Sequence, residues 1–216
     1  MMWQELARDG VQRFFTTTAV RTRMTEVERG LEQLCTAISA TAGRQDLSGI
    51  ERARSLRSKP TKGGKSLYEC LNQLIHYWYC CAAASHLLQL GYTELDMRPT
   101  AEESTSNNKN SFDIRACHPT GVRVVGEVFC VSSALWPEKV RKTASKLMKA
   151  PSRSRRLIYY NLEAKETYGA ERKGLFFLGV AAPKGGVQLV CSTETRFLPG
   201  ISPNNLPQRS PASRLR

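Results

Sequence analysis

Asp113 and Glu127 are the residues of this chain whose type and spacing most directly suggest chemistry. They lie within the segment Ser111-Phe-Asp-Ile-Arg-Ala-Cys-His-Pro-Thr-Gly-Val-Arg-Val-Val-Gly-Glu-Val-Phe-Cys-Val131, two apolar-rich runs around Pro119-Thr120-Gly121. That tripeptide suits a three-residue hairpin loop, with Pro119 in a type I turn and Gly121 in the left-handed conformation that follows it. The turn makes His118 face Val122. Counting back then places Asp113 opposite Glu127, Arg115 opposite Val125 and Cys117 opposite Arg123. Opposed side chains on one face of a ladder have Cβ atoms roughly 5 Å apart, and like charges there are destabilising unless something offsets them. A hard divalent cation, Mg²⁺ or Mn²⁺, would offset them and leave coordination positions for phosphate oxygens and water. The alternative is a solvated face on which Arg115, diagonal to Glu127, neutralises it. Such exposed pairs contribute little.

The elements that must position this pair can be read on either side of it. A helix is expected from about Trp3 to Thr18. A second is expected from the capping box at Thr25 and Glu28 to just before Gly43, with Val27, Leu31, Leu34, Cys35 and Ile38 on one stripe. A third covers roughly Leu47 to Arg57, and a basic linker, Ser58 to Ser66, follows. Gly64-Lys65-Ser66 invites a phosphate-loop reading, but Lys59 stands where the pattern needs glycine and no strand precedes it. Ser66 and Glu69 instead form a capping box for a helix from Leu67 to Leu90, apolar nearly all round and therefore buried, with Gly91 as its stop. Strands are expected over Tyr92 to Arg98, Ser111 to Cys117 and Val122 to Val131. A basic amphipathic helix then runs from about Leu135 to Ala150. A strand follows over Arg156 to Asn161, and finally a hairpin over Gly174 to Ala182 and Val187 to Ser192.

Within the central hairpin, alternation sorts Phe112, Ile114, Ala116, Val122, Val124, Gly126, Val128 and Cys130 onto a core-facing side. Asp113, Arg115, Cys117, Arg123, Val125, Glu127 and Phe129 fall on the other. A strand, a helix and a further strand imply a parallel crossover, so the fold class is α/β with a mixed sheet.

The charge balance says what such a site would meet. The net charge is +13, and between Glu138 and Lys173 eleven Lys or Arg residues stand against four Glu. A polyanion, nucleic acid first, is the expected partner. No stretch approaches the ~20 apolar residues of a membrane span, and a cytoplasmic location without a membrane partner is the expectation. The seven cysteines show no Cys-x-x-Cys spacing, and the three histidines are scattered. Neither set suggests a zinc site or disulfide framework, and His76, His86 and His118 read as structural or surface residues.

Helix, three-stranded meander, helix and strand, with Asp113 on the second strand and Gly126-Glu-Val-Phe129 on the third, resembles the PD-(D/E)XK nuclease superfamily. The resemblance covers roughly Ser66 to Asn161. It implies a restriction-endonuclease-like α-β-β-β-α-β core and a metal-dependent nuclease, in the first place a DNA endonuclease, with Mg²⁺ or Mn²⁺ held by Asp113 and Glu127. The carbonyl of Val128 and, through a water, Glu69 would be further ligands. The family's lysine belongs two residues after the second acid, where this chain has Phe129. Lys139 and Lys142 on the following helix would be its substitutes, sharing a face with Lys146. Lys146, Lys149, Arg153, Arg155 and Arg156 would bind phosphates. The loss of the lysine also leaves open a nuclease-fold protein that only binds nucleic acid or a partner protein. A restriction role would favour a homodimer. The domain organisation expected is a helical extension over 1–60, the nuclease-like domain over 61–198 and a proline- and arginine-rich disordered tail over 199–216.

Overall fold

The computed structural model of the chain describes residues 6, 11–42, 48, 51, 66–98, 112–161, 174–181 and 188–191. Its elements run β1 (Gln12–Phe14), α1 (Thr17–Ala42), α2 (Leu67–Gln89), β2 (Glu94–Met97), β3 (Ile114–Cys117), β4 (Arg123–Phe129), a 3₁₀ turn (Ser133–Leu135), α3 (Trp136–Leu147), β5 (Ser154–Asn161), β6 (Leu175–Ala181) and β7 (Gln188–Cys191). The seven strands form one sheet in sequence order. β1 to β4 are antiparallel, β4, β5 and β6 run parallel, and β7 returns antiparallel. The fold is therefore α/β with a mixed sheet, and α3 is the crossover between the parallel neighbours β4 and β5.

Two apolar layers hold the sheet between helices. On one face α1 and α2 cover Leu95, Met97, Ile114, Val124, Val128, Leu157 and Tyr159. On the other, Trp136, Val140, Ala144 and Leu147 of α3 cover Val125, Phe129, Ile158, Tyr160 and Phe177. β4 and β5 are consequently buried on both sides, which is why they read as nearly continuous apolar runs.

The α2 boundaries follow the local signals. Ser66 Oγ accepts from the Glu69 amide at 3.1 Å, and the Ser66 amide donates back to the Glu69 carboxylate. Gly91 ends the helix with φ +87°, and the amides of Gly91 and Tyr92 donate to the carbonyls of Leu88 and Leu87.

The amino-terminal region departs from expectation. Residues 12–14 are a strand paired with β2 rather than part of a helix. α1 begins at Thr17, capped by Thr16 Oγ1 on the Ala19 amide, so Thr25 and Glu28 lie inside it. Val20 and Met24 continue the Val27 and Leu34 stripe upstream into the shared core, and that burial outweighs an internal capping signature. Residues 12–42 are thus built into the sheet and its core, not appended as an extension. Of the helix expected over 47–57 only Ser48 and Glu51 are described. The basic linker and the tail over 199–216 lie outside the described residues.

Candidate metal centre

The hairpin register is the one the turn chemistry dictates. Ile114 pairs with Gly126, Arg115 with Val125, Ala116 with Val124 and Cys117 with Arg123. The His118 amide donates to the Val122 carbonyl at 2.8 Å, and Gly121 takes φ +83°. One further step sets Asp113 across from Glu127. Regular pairing stops there, because the chain bends at Asp113 before β3 begins. The bend sends Phe112 to the α3 side of the sheet, into the layer of Phe129 and Trp136, instead of the α2 side expected from alternation.

It also turns the Asp113 carboxylate to the open end of the ladder, where Oδ2 accepts from the Val128 amide at 2.8 Å. The amide and carbonyl of one strand residue point to the same neighbour. The Val128 carbonyl therefore faces the same gap as Asp113.

The other side chains reach this gap from both helices. Lys146 of α3 brings Nζ to 2.7 Å from Glu127 Oε1. The contact is a short ion pair to a carboxylate oxygen that is itself buried. Lys139, two turns earlier on α3, lies with Nζ 5.7 Å from the Phe129 ring centre, and its charge acts on both carboxylates. From α2, His76 Nε2 stands 4.0 Å from Asp113 Oδ1 and 3.5 Å from Cys80 Sγ.

Burial pushes the Asp113 carboxyl up to about 6, against the pull of the Val128 amide and the two lysines. Burial, and then the charge of Asp113, push Glu127 up to about 7. Burial also lowers His76 to about 4, helped by Lys139. The imidazole is thus neutral at pH 7, and its approach to Asp113 is not an ion pair. The Cys80 thiol is pushed well up by burial, which makes it a poor nucleophile.

The remaining expected site residues lie elsewhere. Lys142 pairs with Glu138 at 2.6 Å on the exposed side of α3, so Lys139 and Lys146, not Lys142, face the carboxylates. Glu69 is exposed and engaged in its capping box. Arg156 turns inward, donating from Nε to the Leu147 carbonyl and from Nη2 to that of Ala150. It closes the end of α3 rather than facing a polyanion. Arg155, its neighbour on β5, lies over Phe176 at 5.9 Å on the opposite face of the sheet. Lys149 and Arg153 are exposed beyond α3.

Phe129, where the resemblance would place a lysine, is 2 % exposed. It meets Trp136 edge-on at 5.5 Å, and Trp136 meets Tyr160 at 4.5 Å. This stack anchors the start of α3 on the sheet. Ser132 makes no side-chain capping bond, and Pro137 opens the helix instead. The other histidines have local partners, His86 with the Tyr159 hydroxyl and His118 with Thr120.

Sequence reasoning missed His76 as a neighbour of the pair. Its place seven residues after Glu69, on the helix just before the meander, was the available signal. Among the described residues no group of three or more His, Cys, Asp or Glu side chains forms a metal cage. Two carboxylates and one carbonyl are nevertheless a donor set that suits Mg²⁺, which keeps several waters and completes its shell with substrate phosphate. No protein-family model, curated protein or solved structure matches the chain. No helix among the described residues is long and apolar enough to cross a membrane.

Proposed function

We propose that this chain is a metal-dependent nuclease that hydrolyses phosphodiester bonds, DNA being the first substrate to test, with Asp113 and Glu127 as the metal ligands. One observation carries the reading. A buried carboxylate, Glu127, and a partly buried one, Asp113, both with raised pKa values, meet at the end of a ladder, beside two lysines of a following helix. Support also comes from the element order α2-β2-β3-β4-α3-β5, which is the α-β-β-β-α-β order of restriction-endonuclease-like folds.

A bound Mg²⁺ or Mn²⁺ would lower the pKa of an attacking water and stabilise charge on the scissile phosphate. The chain's own residues supply the rest. Asp113 is oriented by the Val128 amide. Lys146 favours the ionised form of Glu127 against burial and the charge of Asp113. With a substrate in place, the Lys146 and Lys139 ammonium groups are the cations positioned to offset phosphate charge. They enter from α3 because Phe129 fills the space of the family's lysine with an aromatic that fixes the helix.

Asp113→Asn and Glu127→Gln should each lower cleavage in Mg²⁺ or Mn²⁺ by at least about a hundredfold while nucleic-acid binding persists. Cleavage that survives both substitutions contradicts the assignment. A second reading rests on the same Phe129 and on the Lys146–Glu127 pair, in which a lysine already neutralises the carboxylate. The chain would then bind nucleic acid or a partner protein without cutting. That reading predicts no metal uptake by calorimetry and no cleavage of any DNA or RNA form.

A further inference from the structure

A sheet of seven strands is about 29 Å wide at roughly 4.8 Å per strand, and a helix covers about 10–12 Å. Among the described residues α3 is the one helix on its face of the sheet, where it covers β4 to β6 while β1 to β3 carry no described helix. The step between them forms a trough of about 590 Å³, lined by Arg13, Phe15, Glu94, Asp96, Arg115 and Arg123 among others, with Phe112 and Val125 at the α3 side.

We propose that this trough binds a single strand of nucleic acid running to or from the carboxylates. The proposal rests on the phosphodiester reading above and names the strandedness of its substrate. Continuity with the site is the first argument. Arg115, on β3, follows Asp113 by two residues, and Arg123 precedes Glu127 by four on β4. These steps are about 7 Å and 14 Å along the same face.

The second argument is that the walls differ in chemistry. Arg115 and Arg123 stand on the β3–β4 side, where phosphates would lie. The β1–β2 side carries Phe15, 67 % exposed, together with Glu94 and Asp96. An exposed ring is a stacking platform for bases of any sequence, and carboxylates accept hydrogen bonds from the amino groups of cytosine or adenine. Asp96 is already tied to Arg13 at 2.7 Å, so Glu94 is the acid available for this. Volume is the third argument: the trough has the size of a small-ligand pocket, enough for a nucleotide or two and not for a double helix.

Fluorescence anisotropy with labelled oligonucleotides of about 20 nucleotides, in EDTA so that nothing is cut, tests this directly. Unstructured single strands should bind more tightly than the matching duplex. Phe15→Ala and Arg123→Glu should each weaken single-strand binding about tenfold, Arg123→Glu with a shallower salt dependence. Arg29→Glu, exposed on α1 across the sheet, should change it little. A duplex bound as tightly as the single strand, or both trough variants binding like the parent chain, overturns the proposal. DNA and RNA strands are separate arms, and tight binding of either supports it. Normal trough-dependent binding without cleavage would refute hydrolysis and leave the trough standing, whereas cleavage with binding indifferent to both variants would refute the trough alone.

Discussion

At the scale of single residues, two carboxylates are held where desolvation disfavours their charged forms without a counter-ion. The folded chain holds Asp113 at about 6 and Glu127 at about 7, above their values in an unfolded chain. The sign follows. A raised pKa means that the native state binds the proton more tightly than the unfolded state, so this contribution is complete below about pH 4 and is lost as pH rises through 6 to 7. In EDTA the melting temperature should therefore fall between pH 5 and pH 8, by an amount on the order of a few kcal/mol of stability. Asp113→Asn with Glu127→Gln should flatten that fall, and Mn²⁺ should reverse it at pH 8 by binding only the native state. A melting temperature indifferent to pH across this window would contradict the buried pair. Lys142→Ala, by contrast, removes an exposed i,i+4 pair with Glu138 and should change stability and activity little. That difference between Lys142 and Lys146 was not legible beforehand. Helical spacing puts Lys139, Lys142 and Lys146 near one another, but only the rotation of α3 on its core decides which of them face the sheet.

At the scale of elements, α3 is the part that makes the site, and two residues hold it in place. Phe129→Ala should destabilise the chain by about 3–5 kcal/mol, as for a buried aromatic whose neighbours cannot collapse, and should loosen Lys139 and Lys146 together. Arg156→Ala should lower stability by about 1.5–3 kcal/mol through the exposed ends of the α3 carbonyls, read by urea denaturation, with little change in nucleic-acid affinity. A binding loss without a stability loss would return Arg156 to the polyanion surface. The hairpin was readable because Pro119 and Gly121 specify one turn and one turn specifies one register. Its second face was not, since Val125 and Phe129 are its only large apolar residues. Nothing in so few positions announces that Trp136, Val140 and Leu147 will pack there. β1 was hidden for a related reason, as three residues are too few for alternation to show beside a helical pattern.

At the scale of the whole molecule, the proposed function draws on the net charge of +13 and on the cover of the sheet among the described residues. Among the described residues the α3 side carries Lys139, Lys146 and the trough, while on the other side α1 and α2 form an apolar layer from which His76 reaches Asp113. Binding of nucleic acid should be steeply salt-dependent, falling on the order of 10³-fold or more between about 50 and 200 mM salt if some six phosphates are contacted, as titration at several ionic strengths would read. A flat salt profile would remove the polyanion from the account. Element order and class were legible across the whole molecule because long periodic segments such as Leu67–Gln89 declare themselves. How much of a face one helix can cover depends on packing that no local pattern carries. The central claim is the metal centre, and the most direct measurement is anomalous diffraction at the manganese edge from crystals soaked in Mn²⁺. A single peak bounded by Asp113, Glu127 and the Val128 carbonyl is expected, with the Lys146 ammonium withdrawn from Glu127 Oε1. No peak there, with Lys146 still seated on Glu127, would contradict it.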